Sequence, residues 1–189
     1  MINDKKSLRR ECRAKRDAFG ADFLVCASHR ACEAIASLEA FGNADALLLY
    51  YPINNEISPL PLVDKALAQN KKVAFPVCDH TERRLIFKEI RSLSELRESR
   101  FGLFEPDASA PAIKMSERTL CIAPAFAFSR DGSRLGYGGG FYDRFMADFG
   151  GITVGITYAT LLFDELPNEP HDKAVDMVAS EDGVIYTKK

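Results

Sequence analysis

The six residues "ALLLYY", Ala46 to Tyr51, form an uninterrupted apolar run, too short for an independent helix and too hydrophobic for a surface. A strand wetted on one face alternates apolar with polar residues, whereas a continuous run suits a strand covered on both faces, as in a parallel sheet. Comparable runs return in "KKVAFPV", "TLCIAPAFAF" and "ITVGITY". Segments with helical spacing separate them. In "DFLVCASHRACEAIASLEAF", Leu24, Ala27, Ala31, Ile35 and Leu38 mark one buried face and leave His29 to solvent. Ser58 and Pro59 open a helix in "SPLPLVDKALAQN", which completes a βαβ unit with its flanking strands. Further along, "RRLIFKEI" reads as a strand, "SELRES" as a helical turn, "FGLFEPD" as a loop and "FYDRFMADF" as a short helix. A terminal hairpin is expected from "AVDMVAS" and "GVIYT" around the Asp182-Gly183 turn. The order predicts an α/β fold with helices on both faces of a mixed, mainly parallel sheet. At 189 residues and 47% hydrophobic content, residues 1–189 are expected to form a single domain.

Charge and punctuation narrow the function classes. Lys and Arg number 25 against 27 Asp and Glu, a formal charge of -2 that gives no global attraction to nucleic acid or anionic membrane. Any anion site must therefore be local. The opening "MINDKKSLRRECR" lacks the apolar centre of a signal sequence, and no later run approaches the roughly 20 apolar residues of a membrane span. The expectation is a cytoplasmic monomer that binds small molecules. The five cysteines, Cys12, Cys26, Cys32, Cys78 and Cys121, contain no C-x-x-C pair and read as reduced thiols. Cys78 and His80 in "PVCDHTER" supply only two soft ligands, too few for a zinc site.

The chemistry concentrates in "SRLGYGGGFYDRF", where four glycines fall within Gly136 to Gly140. A strand, a glycine loop and a helix in succession aim unpaired backbone N–H groups at an anion, and glycine lets the ligand approach the main chain. Arg134 adds positive charge, and Asp143 can hold a divalent cation against phosphate oxygens. The stretch is neither a Walker loop, which needs a Lys-Ser/Thr pair, nor a dinucleotide fingerprint, which needs glycine or alanine where Phe141 stands. A purely structural glycine turn is the plain alternative, and Arg134, Tyr142 and Asp143 around it argue against that. Near the start, Asn3 or Asp4 can cap a helix on which Lys5, Arg9, Arg13 and Arg16 share a basic face. Such a face is ordinarily just solvated.

Five blocks together resemble the 5-formyltetrahydrofolate cyclo-ligase, or methenyltetrahydrofolate synthetase, family. They are "KKSLRRECR", "YYPINNEISPLPLVDKALAQNKKVAFPV", "FGLFEPD", "RLGYGGGFYDRF" and "LPNEPHDKAVDMVASEDGVI", in family order over nearly the whole chain. The resemblance implies a three-layer α/β/α sandwich and ATP- and Mg2+-dependent closure of 5-formyltetrahydrofolate, a step of folate one-carbon metabolism. It implies that Lys5, Lys6, Ser7, Leu8 and Arg9 contact ATP. The catalytic Arg134 and the residues Leu135, Gly136, Tyr137, Gly138, Gly139, Gly140, Phe141 and Tyr142 would wrap the nucleotide, and Tyr137 to Phe141 would also touch the folate. Tyr51 and Glu56 are the further implied substrate contacts, and Asp143 and Asp172 the implied metal ligands. Some relatives carry a lysine where this chain has Gly139, which would shift charge compensation onto Arg134, Lys5 and Arg9. Read alone, Glu56 could be a helix-leading acid, Asp143 a dipole-stabilised one, and Asp172 a turn residue. Phe101 and Phe104 could wall a pocket or plug the core. A sugar-phosphate isomerase on a related scaffold is the alternative enzyme class. A nucleic-acid binder using the basic helix is disfavoured by the charge balance.

Overall fold

The computed structural model describes residues 4–99 and 102–187. Helix α1 (Lys5–Asp17) starts at Asp4, whose carboxylate accepts the Ser7 amide at 2.7 Å and satisfies one orphan donor of the first turn. Its buried residues, Leu8, Cys12 and Arg16, recur every fourth position and so line one face. Arg16 therefore leaves the exposed basic stripe on which sequence spacing placed it. The next helical segment, expected as one piece, is two: α2 (Ala21–Ala36) and α3 (Glu39–Asn43). Leu38 breaks it in an extended conformation, φ -69° and ψ 142°, and so turns Phe41 into the core.

Strand β1 (Ala46–Leu48) leads through a loop to α4 (Pro61–Ala68), then β2 (Lys72–Asp79) and β3 (Arg84–Ile90). Ser58 and Pro59 precede α4, and Pro61 sits in its first turn, where a missing N–H costs nothing. Only the first part of "SELRES" is helical, a 3-10 turn at Leu93–Glu95; β4 (Leu96–Glu98) follows and pairs antiparallel with β5 (Phe104–Pro106). The expected "FGLFEPD" loop thus contains a strand, and Phe101 lies outside the described residues. "TLCIAPAFAF" divides as well. Pro124 cannot donate to a ladder, so β6 (Thr119–Ala123) ends before it and β7 (Ala127–Ser129) joins a second sheet with β8 (Arg134–Leu135). After α5 (Phe141–Ala147) come β9 (Ile152–Ile156), a 3-10 turn at Ala159–Leu161, β10 (Leu162–Phe163), and the expected terminal hairpin β11 (Met177–Ser180) and β12 (Gly183–Tyr186). Among the described residues no helix is long and apolar enough to cross a membrane.

The main sheet runs β12-β11-β9-β6-β1-β2-β3. Its five central strands are parallel, and β12 and β3 close the edges as antiparallel partners. Successive residues face opposite sides. Leu47 packs with α1, α2 and α4 on one face, while Ala46 and Leu48 pack with Phe145 of α5 on the other. The result is a three-layer α/β/α sandwich. From β1 the chain crosses to β2 through α4, and from β6 it crosses the opposite way to β9 through α5. Crossovers of one hand in opposite directions put their helices on opposite faces and open a crevice beyond the carboxyl ends of β1 and β6. Leu47 is wholly buried in the central strand. Leu47→Ala should therefore lower unfolding stability by about 2–5 kcal/mol, read as a lower denaturant midpoint at unchanged slope.

Candidate functional site

A cavity of about 260 Å³ lies at that crevice. One wall is the glycine loop with the first turn of α5, Gly136 to Asp143; the rest includes Tyr51, Glu56, Cys78, Phe104 and Glu105. Tyr51 and Phe104 stack with ring centroids 4.5 Å apart at 24°, an arrangement that the β4–β5 ribbon makes possible by carrying Phe104 to the cavity.

The loop's shape is imposed from outside. Gly138 and Gly140 hold φ of 94° and 66°, which side-chain-bearing residues rarely adopt. Arg9 donates to the Gly136 carbonyl at 2.7 Å, and Arg144 donates to the Gly139 carbonyl at 2.6 Å. With these carbonyls held by arginines, the amides of Gly138, Gly139 and Gly140 donate to no acceptor among the described residues. Unpaired donors on an exposed loop, beside two guanidinium groups, have the chemistry that suits an anion.

The acids and bases expected around the loop are already matched to one another. Arg134 is 8% exposed, donates to Asp143 at 2.7 Å and lies 5.5 Å from the centre of the Tyr142 ring. It is thus a buried, paired cation rather than a free charge at the loop mouth. Asp143 also accepts the Lys173 amide at 3.3 Å, which ties it to the segment carrying Asp172. Asp172 accepts Lys5 Nζ at 2.6 Å and the Glu169 amide at 2.8 Å. Burial pushes the Asp172 carboxyl up, but the Lys5 and Glu169 hydrogen bonds outweigh it and leave it below its ordinary value. Burial likewise lowers Lys5, and Asp172 and Glu169 more than restore it. Of the remaining N-terminal residues, Lys6 is exposed, Ser7 half-buried, and the Leu8 side chain packed in the core. Tyr142 keeps part of its ring at the surface, yet its hydroxyl is buried and has no partner among the described residues.

Glu56 is 7% exposed; one carboxylate oxygen accepts the Ile53 amide at 2.9 Å and the other the Tyr137 hydroxyl. Burial raises its pKa, partly offset by Tyr137, the Ile53 amide and Arg16. Arg16 is the residue that sequence reasoning missed. Its spacing from Leu8 and Cys12 was the available signal, since both are buried and all three share a helix face. Phe104, which the sequence allows as a pocket wall or a core plug, lines the cavity, as does Glu105, which accepts the Cys78 amide at 3.1 Å and which no sequence motif singles out.

Fold and cavity define an α/β protein in which one cavity joins a glycine loop to a buried carboxylate and a stacked aromatic pair. The model of the 5-formyltetrahydrofolate cyclo-ligase family matches residues 1–181. The 5-formyltetrahydrofolate cyclo-ligase of Haemophilus influenzae is 32% identical over 134 residues, 68% of this chain and 72% of the relative. That of Saccharomyces cerevisiae is 26% identical over 208 residues, 96% of this chain and 97% of the relative. The NMR structure of Aquifex aeolicus 5,10-methenyltetrahydrofolate synthetase is similar at TM-score 0.83 and 27% identity, covering 98% of this chain and 93% of that one. The chain belongs to the 5-formyltetrahydrofolate cyclo-ligase family, a family of ligases.

The Lys5–Asp172 pair fastens the first helix to the segment before β11. Lys5→Met should lower stability near neutral pH by about 1 kcal/mol or less. The sign follows from both partners: Asp172, depressed below its ordinary 3.8, loses its share as pH falls beneath that value, and Lys5, raised above 10.5, loses its share only above it. Chemical denaturation across pH should show the two proteins converging at both ends of that window.

Proposed function

We propose that the chain closes 5-formyltetrahydrofolate to 5,10-methenyltetrahydrofolate with ATP and Mg2+, releasing ADP and phosphate. The observation that carries this reading is the single cavity shared by the unpaired glycine amides and by Glu56 with the stacked Tyr51 and Phe104. One chamber thus offers a triphosphate site and a pterin site. Donor edges of a pterin suit the Glu56 carboxylate, and its faces suit the aromatic pair. A sugar phosphate would leave that pair without a use.

A formamide carbonyl is a poor electrophile. Transfer of the γ-phosphoryl group to the formyl oxygen gives an imidoyl phosphate; nitrogen 10 attacks its carbon, loses its proton, and phosphate departs as the ring closes. The protein's share is positioning and charge neutralisation. The amides of Gly138 to Gly140 bind phosphate oxygens, Arg9 and Lys5 add charge from α1, and Arg134 is the catalytic cation beside the transferring group.

Among the described residues no group of three or more His, Cys, Asp or Glu side chains could hold a metal. Asp143 and Asp172 fit Mg2+ nonetheless, because this ion takes one or two carboxylates and completes its shell with phosphate oxygens and water. When bound, Mg2+ would neutralise phosphate oxygens. Asp143 and Asp172 are paired with Arg134 and Lys5; with nucleotide bound, Arg134 and Lys5 would face phosphate and the two carboxylates would hold the ion.

Purified protein given 5-formyltetrahydrofolate, ATP and Mg2+ should form methenyl absorbance and ADP in equal amounts; neither product appearing sinks the assignment. Asp172→Asn should raise the Mg2+ concentration for half-maximal rate about tenfold or more. An unchanged Mg2+ dependence would remove Asp172 from the metal site.

A further inference from the structure

Arg16 is 1% exposed, and its guanidinium is a cation with donors only. It donates to the carbonyls of Ala125 and of Phe126, the latter at 3.0 Å, and its guanidinium lies 5.3 Å from the centre of the Phe126 ring. No carboxylate among the described residues pairs with it directly. Its remaining contact is the Tyr137 hydroxyl oxygen, 3.2 Å from Nη1. Arg16 can only donate, so that oxygen is the acceptor, and the single phenolic proton is left for Glu56. A buried cation and a buried anion are therefore joined through one tyrosine, which itself belongs to the glycine loop.

We infer that Arg16 is a positioning residue for the reaction: by fixing the direction of the Tyr137 hydroxyl, it holds Glu56 as an ionised acceptor aimed at the N–H edge of the folate. The inference rests on the proposed function through the role given to Glu56. Charged and titratable groups face Glu56 from every side: Arg16 of α1, Tyr50 after β1, Tyr137 of the loop, Tyr142 of α5 and Tyr158 beside the second 3-10 turn. Burial pushes all four tyrosines up, Tyr158 to about 12, so acidification acts on the Glu56 carboxylate and not on them. Without the Tyr137 hydroxyl, burial acts on Glu56 with less opposition. Its carboxyl then holds a proton to higher pH, and protonation turns one of its two oxygens into an O–H donor that opposes an N–H edge.

Affinity for 5-formyltetrahydrofolate, measured without ATP by fluorescence titration from pH 4.5 to 9, separates this role from simple packing. In the wild type, affinity should fall on acidification. In Tyr137→Phe the same fall should occur about one pH unit higher, the size expected for one hydrogen bond to a charged group. Arg16→Met should shift it in the same direction. If Arg16→Met fails to fold, Tyr137→Phe, which removes one oxygen, decides alone. A uniform loss of affinity with an unmoved midpoint overturns the positioning role and leaves the proposed function standing. Wild-type protein that neither binds nor converts formylfolate overturns the proposed function, and the positioning role with it.

Discussion

Four glycines in five positions carry almost no side chain with which to hold a shape, and ordering such a segment loses more backbone entropy than any other composition. The shape must come from neighbours. Here Arg9 and Arg144 grip two of its carbonyls, and Arg16 and Phe126 fix the one large side chain inside it, Tyr137, whose ring lies 4.4 Å from that of Phe126. The first helix is thus less a basic surface than a clamp on the loop. Taking the carbonyls and sparing the amides is what turns a flexible turn into a set of donors.

The sheet decides where this clamp closes. Reversal of the crossover direction between β6 and β1 opens the crevice, and the loops leaving those strands supply Pro124 on one side and Tyr50, Tyr51 and Glu56 on the other. The short β4–β5 ribbon then brings Phe104 over the opening. Polar contacts among these pieces are nearly saturated within the protein, with a few exceptions. The glycine amides of the exposed loop and the buried Tyr142 hydroxyl, Arg134 Nε and Arg16 Nε lack partners among the described residues, and the glycines, Tyr142 and Arg134 are residues that line the cavity. Converging main-chain donors left open at the wall of a cavity are groups that a ligand can complete.

Much of this was legible in the chain. Continuous apolar runs identified buried parallel strands, because a two-sided environment leaves no polar periodicity. The glycine cluster with Arg134 and Asp143 marked a stretch that lines the cavity. Illegible features were those set by tertiary placement. "FGLFEPD" has little intrinsic strand preference and becomes β5 only because β4 lies beside it. Arg16 belongs by charge to the stripe of Lys5 and Arg9 and by spacing to the apolar face of Leu8 and Cys12; the carbonyls of Ala125 and Phe126 settle the conflict by offering a buried guanidinium its partners. Charge alone also could not reveal that Arg134 and Asp143, both expected to face a ligand, first face each other.

The central claim is that main-chain donors of the glycine loop grip the triphosphate. Titrating isotope-labelled protein with a non-hydrolysable ATP analogue and Mg2+, and following backbone amides by NMR, tests it directly. The amides of Gly138, Gly139 and Gly140 should show the largest shifts, saturating together with those of Arg9 and Lys5. Saturable binding that leaves these three amides unmoved would contradict the account.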